Sequence, residues 1–241
     1  MNRGASSFAC AVFFISGLAA ARPAEAQWYF VGYLGANVTK AATVSVDVPA
    51  SGLSLEFSKV KFAAHPFESP QYYGWRLGKL FHGRFGLEGE FIHLKMYART
   101  DAVYLFSGTS GVVPFAIGQP MRTVVQRYAM SHGLNFLLLN AVSRVPIGSG
   151  RAAVIVRAGA GSTVAHTETT VLNSAVDKYE RAGFGVHAAA GLSLALGSRV
   201  SLVTEYKFTR ARPEISVAGG TGRTTAATHQ FAFGLAFGLG R

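Results

Sequence analysis

Phe231, Phe233, Leu235, Phe237 and Leu239 stand at every second position of the last stretch of the chain, with Ala232, Gly234, Ala236 and Gly238 between them. A period of two is a strand with two faces. Here the second face is almost bare, whereas a soluble sandwich would put Lys, Glu or Ser there for water. Small residues on one face suit the inside of a narrow closed barrel whose outside is apolar. If the outer solvent is hydrocarbon, closure follows, because an open sheet edge would leave backbone N–H and C=O groups unpaired.

The N-terminal segment fits export. Asn2 and Arg3, an apolar run from Phe8 to Ala20 and Ala24-Glu25-Ala26 read as a signal peptide cut after Ala26, which leaves 27–241 as one domain. That run is shorter than the about 20 residues of a helical span, and no later run is longer. The single cysteine, Cys10, falls in it, so the rest of the chain has no disulfide framework and no thiolate metal site. Without Arg3, Arg22 and Glu25 the 23 basic and 12 acidic residues become 21 and 11, a formal charge of +10. Such an excess calls for an anionic partner. An exported chain with no helix-turn-helix or zinc-finger spacing is not expected to bind nucleic acid. The lipid A and LPS layer of a Gram-negative outer membrane is the expected partner, with periplasmic assembly factors during insertion and a monomeric final state.

Alternation recurs through the chain. Strands are expected over 27–38, 71–81, 85–97, 124–145 and 151–168. A sixth has Phe184, Val186 and Leu192 outside and Arg181, Gly185 and His187 inside, a seventh has Leu202, Tyr206 and Phe208 outside, and the eighth is the closing stretch. The sides of the first strand and of His132 stay open. Short turns near His82-Gly83, Ile147-Gly148 and Gly197-Ser198 alternate with longer loops over 39–69, 100–123, 169–178 and 218–223, the first of them irregular with a hairpin expected over 53–62. The fold class is therefore all-β: an eight-stranded antiparallel up-and-down transmembrane barrel, turns in the periplasm and loops outside. A lipocalin-like soluble barrel is the alternative, and it would need an apolar lumen.

Parity places Arg76, Glu88, Glu90, Arg157, Glu205 and Lys207, with His187 and Gln230, inside. Eight strands leave room only for side chains, so these are expected to interlock as a structural network of both signs rather than line a channel. On the outward parity, near the loop ends, lie His93 and Lys95, His166 and Glu168, His229, and Arg210 and Arg212. His132 stands at the same level. His93, His132 and His166 are candidate ligands of a divalent metal, with Glu168 as a further catalytic candidate. Lys95, Arg210, Arg212 and His229 are candidates for lipid A phosphates. The bland alternative is a polar and aromatic girdle including Tyr97. No His-x-x-x-His or His-Glu-x-x-His pair occurs, and no histidine is followed two positions on by serine. Ser131 and His132 are adjacent and are expected to face opposite ways. Gly219-Gly220-Thr221-Gly222 lacks the lysine of a phosphate loop and reads as a surface loop.

In this order, Pro70-Gln71-Tyr72-Tyr73-Gly74, Phe91-Ile92-His93-Leu94-Lys95-Met96-Tyr97-Ala98, Gly133-Leu134-Asn135, Leu139-Asn140-Ala141, Ala165-His166-Thr167-Glu168, Glu205-Tyr206-Lys207 with Arg212-Pro213, and Thr228-His229-Gln230 resemble small outer-membrane barrels of the lipid A oxidase type. The resemblance covers most of residues 27–241. It implies oxygen-dependent oxidation of the proximal glucosamine of lipid A to aminogluconate, helped by a divalent metal. His93, His132, His166, Glu168 and His229 are the positions it brings under suspicion. The second expectation, from a different class, is a non-enzymatic envelope protein that stabilises the membrane or binds a surface ligand.

Overall fold

A computed structural model of the protein describes residues 27–110 and 113–239. The expected signal peptide lies outside them. In β1 (Gln27–Thr39) the odd residues from Val31 to Thr39 are buried, while Trp28, Phe30, Leu34 and Val38 are exposed. A hairpin of β2 (Ala42–Val48) and β3 (Leu53–Val60) follows, then the two-residue β4 (Phe62–Ala63). Next, β5 (Tyr73–Phe81) and β6 (Phe85–Ala98) meet at His82 and Gly83, both at positive φ, the conformation a tight hairpin turn demands. A second hairpin, β7 (Val103–Ser110) and β8 (Val113–Pro120), leads to β9 (Val125–Ile147), β10 (Ala152–Val171) and β11 (Ser174–Ala195). The chain ends with β12 (Val200–Ala211), a small hairpin of β13 (Glu214–Val217) and β14 (Gly220–Thr224), and β15 (Ala226–Leu239).

Eight of these strands close a ring, in the order β1, β5, β6, β9, β10, β11, β12, β15 and back to β1, with every pair antiparallel. Large apolar side chains such as Trp75, Leu87, Leu139, Phe184, Val186, Phe231 and Phe233 are exposed on its outside. Arg76, Glu88, Glu90, Arg157, Glu205 and Lys207 are buried within. That inversion of a soluble protein, on a sheet without an open edge, makes the ring a membrane-spanning barrel of the outer-membrane type.

Three carboxylates and three cations share the lumen. Arg76 pairs with Glu90 at 2.8 Å and Glu205 at 2.7 Å, and Arg157 pairs with Glu88 at 2.6 Å and with Glu205. Lys207 pairs with Glu90 and donates to the Tyr33 hydroxyl at 2.8 Å. Asn140 donates to Glu90 at 2.7 Å and accepts from His187 at 2.8 Å. The matched signs are what a low-dielectric interior requires, since an unpaired charge there is strongly destabilising. Above this layer the lumen is apolar: Ile92, Leu94, Leu134, Phe136 and Leu138 all point in. The interior is thus charged below and apolar above, a mixture that the contrast between a charged membrane barrel and an apolar lipocalin lumen does not anticipate.

The expected long loops are largely sheet, and residues 53–62 do not form the hairpin expected there, since β3 pairs with β2 and β7 while β4 pairs with β6. β13, β14, β2, β3, β7 and β8 form a six-stranded sheet in that order. Its inward face, with Val44, Val46, Leu55, Phe57, Phe106, Ile215 and Val217, is buried in one core with Tyr128 and Met130 of β9. The stretch 169–178 is likewise mostly strand, because β10 and β11 continue as a ladder to the turn at Leu172 and Asn173. At 20 to 23 residues, β9, β10 and β11 are about twice the length that spans a bilayer. Their upper halves form the wall against which the outer sheet packs.

Glu90 stands at the centre of the lumen network. Glu90→Ala should lower unfolding stability in detergent or lipid by about 3–5 kcal/mol, since Arg76 and Lys207 lose their shared counter-charge. Adding Lys207→Met should recover part of that loss in denaturant titrations. Strictly additive losses would mean that the two side chains act independently.

Candidate functional site

β10 carries Val164, His166 and Glu168 outward and Thr163, Ala165, Thr167 and Thr169 inward, as plain alternation demands. Its neighbour β9 breaks alternation at this height. Leu134 pairs with Ala165 and Met130 with Thr167, so three residues, Ser131, His132 and Gly133, lie opposite the single residue His166. They also lie opposite Lys95 of β6, where Leu94 pairs with Leu134 and Met96 with Met130. The bulge turns on Gly133 at φ +101°, where a Cβ would fall 2.5 Å from His93 Nδ1. Ser131 and His132 consequently sit together on the outer side, contrary to the expectation that they face opposite ways.

Four donor groups converge here. Ser131 Oγ lies 3.3 Å from His132 Nδ1 and 3.2 Å from His166 Nδ1, and donates to Glu168 Oε1. The two Nδ1 atoms are 3.3 Å apart, and each is 3.7 Å from Glu168 Oε1. His166 Nε2 contacts Asp177 Oδ1 at 3.1 Å, Arg127 pairs with the other oxygen of Glu168, and the His166 ring stands edge-on to Tyr179 at 4.4 Å. Tyr97 donates to the Ser131 carbonyl at 3.3 Å.

His132, His166 and Glu168 are the set of three histidine or acidic side chains, among the described residues, whose donor atoms lie within 4.8 Å of one another. Ligands at about 2.0–2.2 Å around a tetrahedral ion are themselves about 3.3–3.6 Å apart, close to the spacing found here. Asp177 supplies the carboxylate that commonly holds the far nitrogen of a metal-binding imidazole. Two imidazoles, a carboxylate and a hydroxyl in this arrangement fit a divalent metal ion.

The other predicted residues sit elsewhere. His93 is buried under the bulge, with Nδ1 2.8 Å from Asn135 Oδ1 and its ring stacked on Tyr73, outside the convergent set. Lys95 has outward parity but is covered by the segment before β5, and its Nζ donates to the Glu68 carbonyl at 2.9 Å. His229 pairs with the Tyr206 hydroxyl at 2.5 Å on β15, separated from β10 by β12 and β11. Arg210 and Arg212 are exposed on the outer rim. Arg181, expected inside, points outward. Arg127, Ser131, Asp177 and Tyr179 join the site without being expected there. In the fourth strand Leu134 and Phe136 share the inward face of Asn140 because the upper lumen is apolar, and the available signal for the bulge beside them is Gly133, a residue free to take positive φ.

No protein-family model and no curated protein matches the sequence. Solved structures of similar topology exist at low identity. Neisserial surface protein A is 10% identical, with 89% of this chain and 99% of that one aligned at a TM-score of 0.44. The outer membrane protease OmpT from Escherichia coli is 7% identical over 88% and 97%, at 0.48. The outer membrane protein OprG from Pseudomonas aeruginosa is 10% identical over 90% and 95%, at 0.38.

Proposed function

We propose that this outer-membrane barrel acts on the lipid A layer through a divalent-metal centre at its outer rim, and that the reaction is oxidation of the proximal glucosamine to aminogluconate. The observation that carries the reading is the convergence of His132, His166, Glu168 and Ser131 on the lipid-facing side of the barrel, just above exposed Phe184 and Tyr73. A soluble substrate would be served by a site in the lumen or the outer sheet. Side chains aimed sideways from the rim meet the head groups of the outer leaflet. The choice of oxidation rests on the resemblance of the strand motifs to lipid A oxidases, whose reaction takes dioxygen as electron acceptor.

His132 and His166 would hold the ion through Nδ1 and Glu168 through a carboxylate oxygen. When bound, such an ion supplies Lewis acidity toward a sugar oxygen. Asp177 accepts the Nε2 proton of His166 and thereby leaves the Nδ1 lone pair free. Ser131 and Arg127 hold Glu168 in place, one on each oxygen. Raising the anomeric hemiacetal to the carboxyl level would break the C1–H bond and pass two electrons and two protons to dioxygen as hydrogen peroxide, and the resulting lactone would take up water, which supplies the one oxygen atom gained.

Two measurements test this. His166→Ala should abolish Zn2+ binding by the folded, detergent-solubilised barrel, and Asp177→Asn should weaken it by about 10–100-fold. Unchanged Zn2+ affinity in His166→Ala would contradict the metal centre. In aerated cells carrying the protein, lipid A should gain one oxygen atom by mass spectrometry, and the gain should vanish with Glu168→Gln. Lipid A identical with and without the protein would favour the non-enzymatic envelope role.

A further inference from the structure

β10 is flanked by a bulge on each side, one opposite His166 and the other slightly lower, between Thr163 and Val164. Besides the one at 131–133, the β10–β11 register shifts between Thr163 and Val164: Gly183 pairs with Thr163 and Arg181 with Val164, so Ala182 is the extra residue. Gly183 takes φ +119°, a conformation that favours glycine. Without the bulge Arg181 would share the inward side of Gly185 and His187. With it, Ala182 turns in and Arg181 turns out, its guanidinium 5.2 Å over the ring of Phe184, which is 66% exposed to the lipid side. One bulge thus delivers His132 to the lipid-facing surface and the other delivers Arg181, on the two strands that flank His166.

Arg181 does not stand alone. Arg210 pairs in register with outward-facing Val186, and the Arg212 carbonyl approaches Gly183, so Arg181, Arg210 and Arg212 line one outward seam between β11 and β12. Among the described residues none of the three has an ion pair. The nearby carboxylates are engaged elsewhere: Glu168 with Arg127, Asp177 with His166, and Glu180 inward with Ser216, Thr167 and Lys178. Three exposed guanidinium groups without a counter-charge, at the upper edge of an apolar belt, make a positive patch open to an anion from outside the protein. Arg, with its planar fork, matches phosphate oxygens two at a time. Strand spacing of about 4.8 Å and a two-residue step of about 6.7 Å put the Arg181 backbone roughly 8 Å from that of His166. One head group can reach both.

We infer that Arg181, with Arg210 and Arg212, is a binding seam for the phosphomonoester of a membrane-embedded head group, which it holds beside the His132, His166 and Glu168 centre. This deepens the lipid-directed reading above and rests on it for the chemistry, but not for the binding. Short-chain phosphatidic acid supplies the phosphomonoester on a lipid, phosphatidylcholine is the lipid without one, and inorganic phosphate is the free anion. Each is titrated at low salt into the detergent-folded, full-length barrel without added metal. Phosphatidic acid should bind at least about tenfold more tightly than either of the others. Arg181→Ser should erase most of that preference, and Arg181→Lys should restore only part of it. Arg84→Ser, at the opposite end of the barrel, should change nothing. Because Arg181 is exposed, its variants should keep the mobility of the folded barrel on unheated gels. Undiminished phosphatidic acid binding in Arg181→Ser would overturn the assignment, and inorganic phosphate binding as tightly as the lipid would overturn the head-group part. Zn2+ titration of the same samples separates the two readings: Arg181→Ser should bind Zn2+ as wild type does. If wild type binds no Zn2+ yet prefers phosphatidic acid through Arg181, the metal centre falls and the seam stands.

Discussion

A chain that crosses hydrocarbon must satisfy every backbone N–H and C=O, and every charge, from its own atoms. Ring closure meets the first demand, with β15 pairing to both β1 and β12 so that no edge is left. The network around Glu90 and Glu205 meets the second, because Arg76, Arg157 and Lys207 find all their counter-charges within one layer. Small residues such as Ala232, Gly234 and Gly191 leave room for those long side chains in a ring of eight strands. The apolar outside follows from the same constraint, since whatever cannot be paired within must be hydrocarbon.

The same constraint explains where irregularity is tolerated. A bulge leaves backbone groups unpaired and turns polar side chains outward, both costly at mid-bilayer depth and much cheaper at the head groups. The bulges at 131–133 and at Ala182 both occur at the rim, on either side of β10. Each uses a glycine at positive φ, and each places a polar side chain, His132 or Arg181, where strict alternation would have hidden it or separated it from its partners. The site is therefore built from departures from the pattern that builds the barrel. The upper core reinforces it: Tyr128 and Met130, just before the first bulge, are buried in one core with Phe57 and Phe106 of the outer sheet.

The barrel was legible because a period of two in side-chain burial needs only local information. Phe231 to Leu239, Tyr73 to Leu77 and Val164 to Glu168 reveal their faces one strand at a time. His166 and Glu168 are placed by this rule without help from the fold. What alternation cannot report is a change of phase. Arg181 and Ser131 lie beyond bulges, so parity counted from one end gives the wrong side, and Arg127 and Asp177 join the site only through cross-strand register. The outer sheet is hidden from alternation for a related reason. β2, β3, β7, β8, β13 and β14 come from three separate connections, and their short segments pair only once the barrel has brought those connections together.

The central claim is the direction of the two faces, and a cysteine scan along β15 tests it most directly. The chain's single cysteine lies at position 10, so in a Cys10→Ser background single substitutions at 230 to 235 can be labelled cleanly with a fluorophore in the barrel reconstituted in lipid. Labels at Phe231, Phe233 and Leu235 should be quenched by brominated acyl chains and protected from aqueous quenchers, while those at Gln230 and Ala232 should escape lipid quenching. Lipid quenching at Gln230 and Ala232, with Phe231 and Phe233 spared, would reverse the faces and remove the basis for a lipid-facing site.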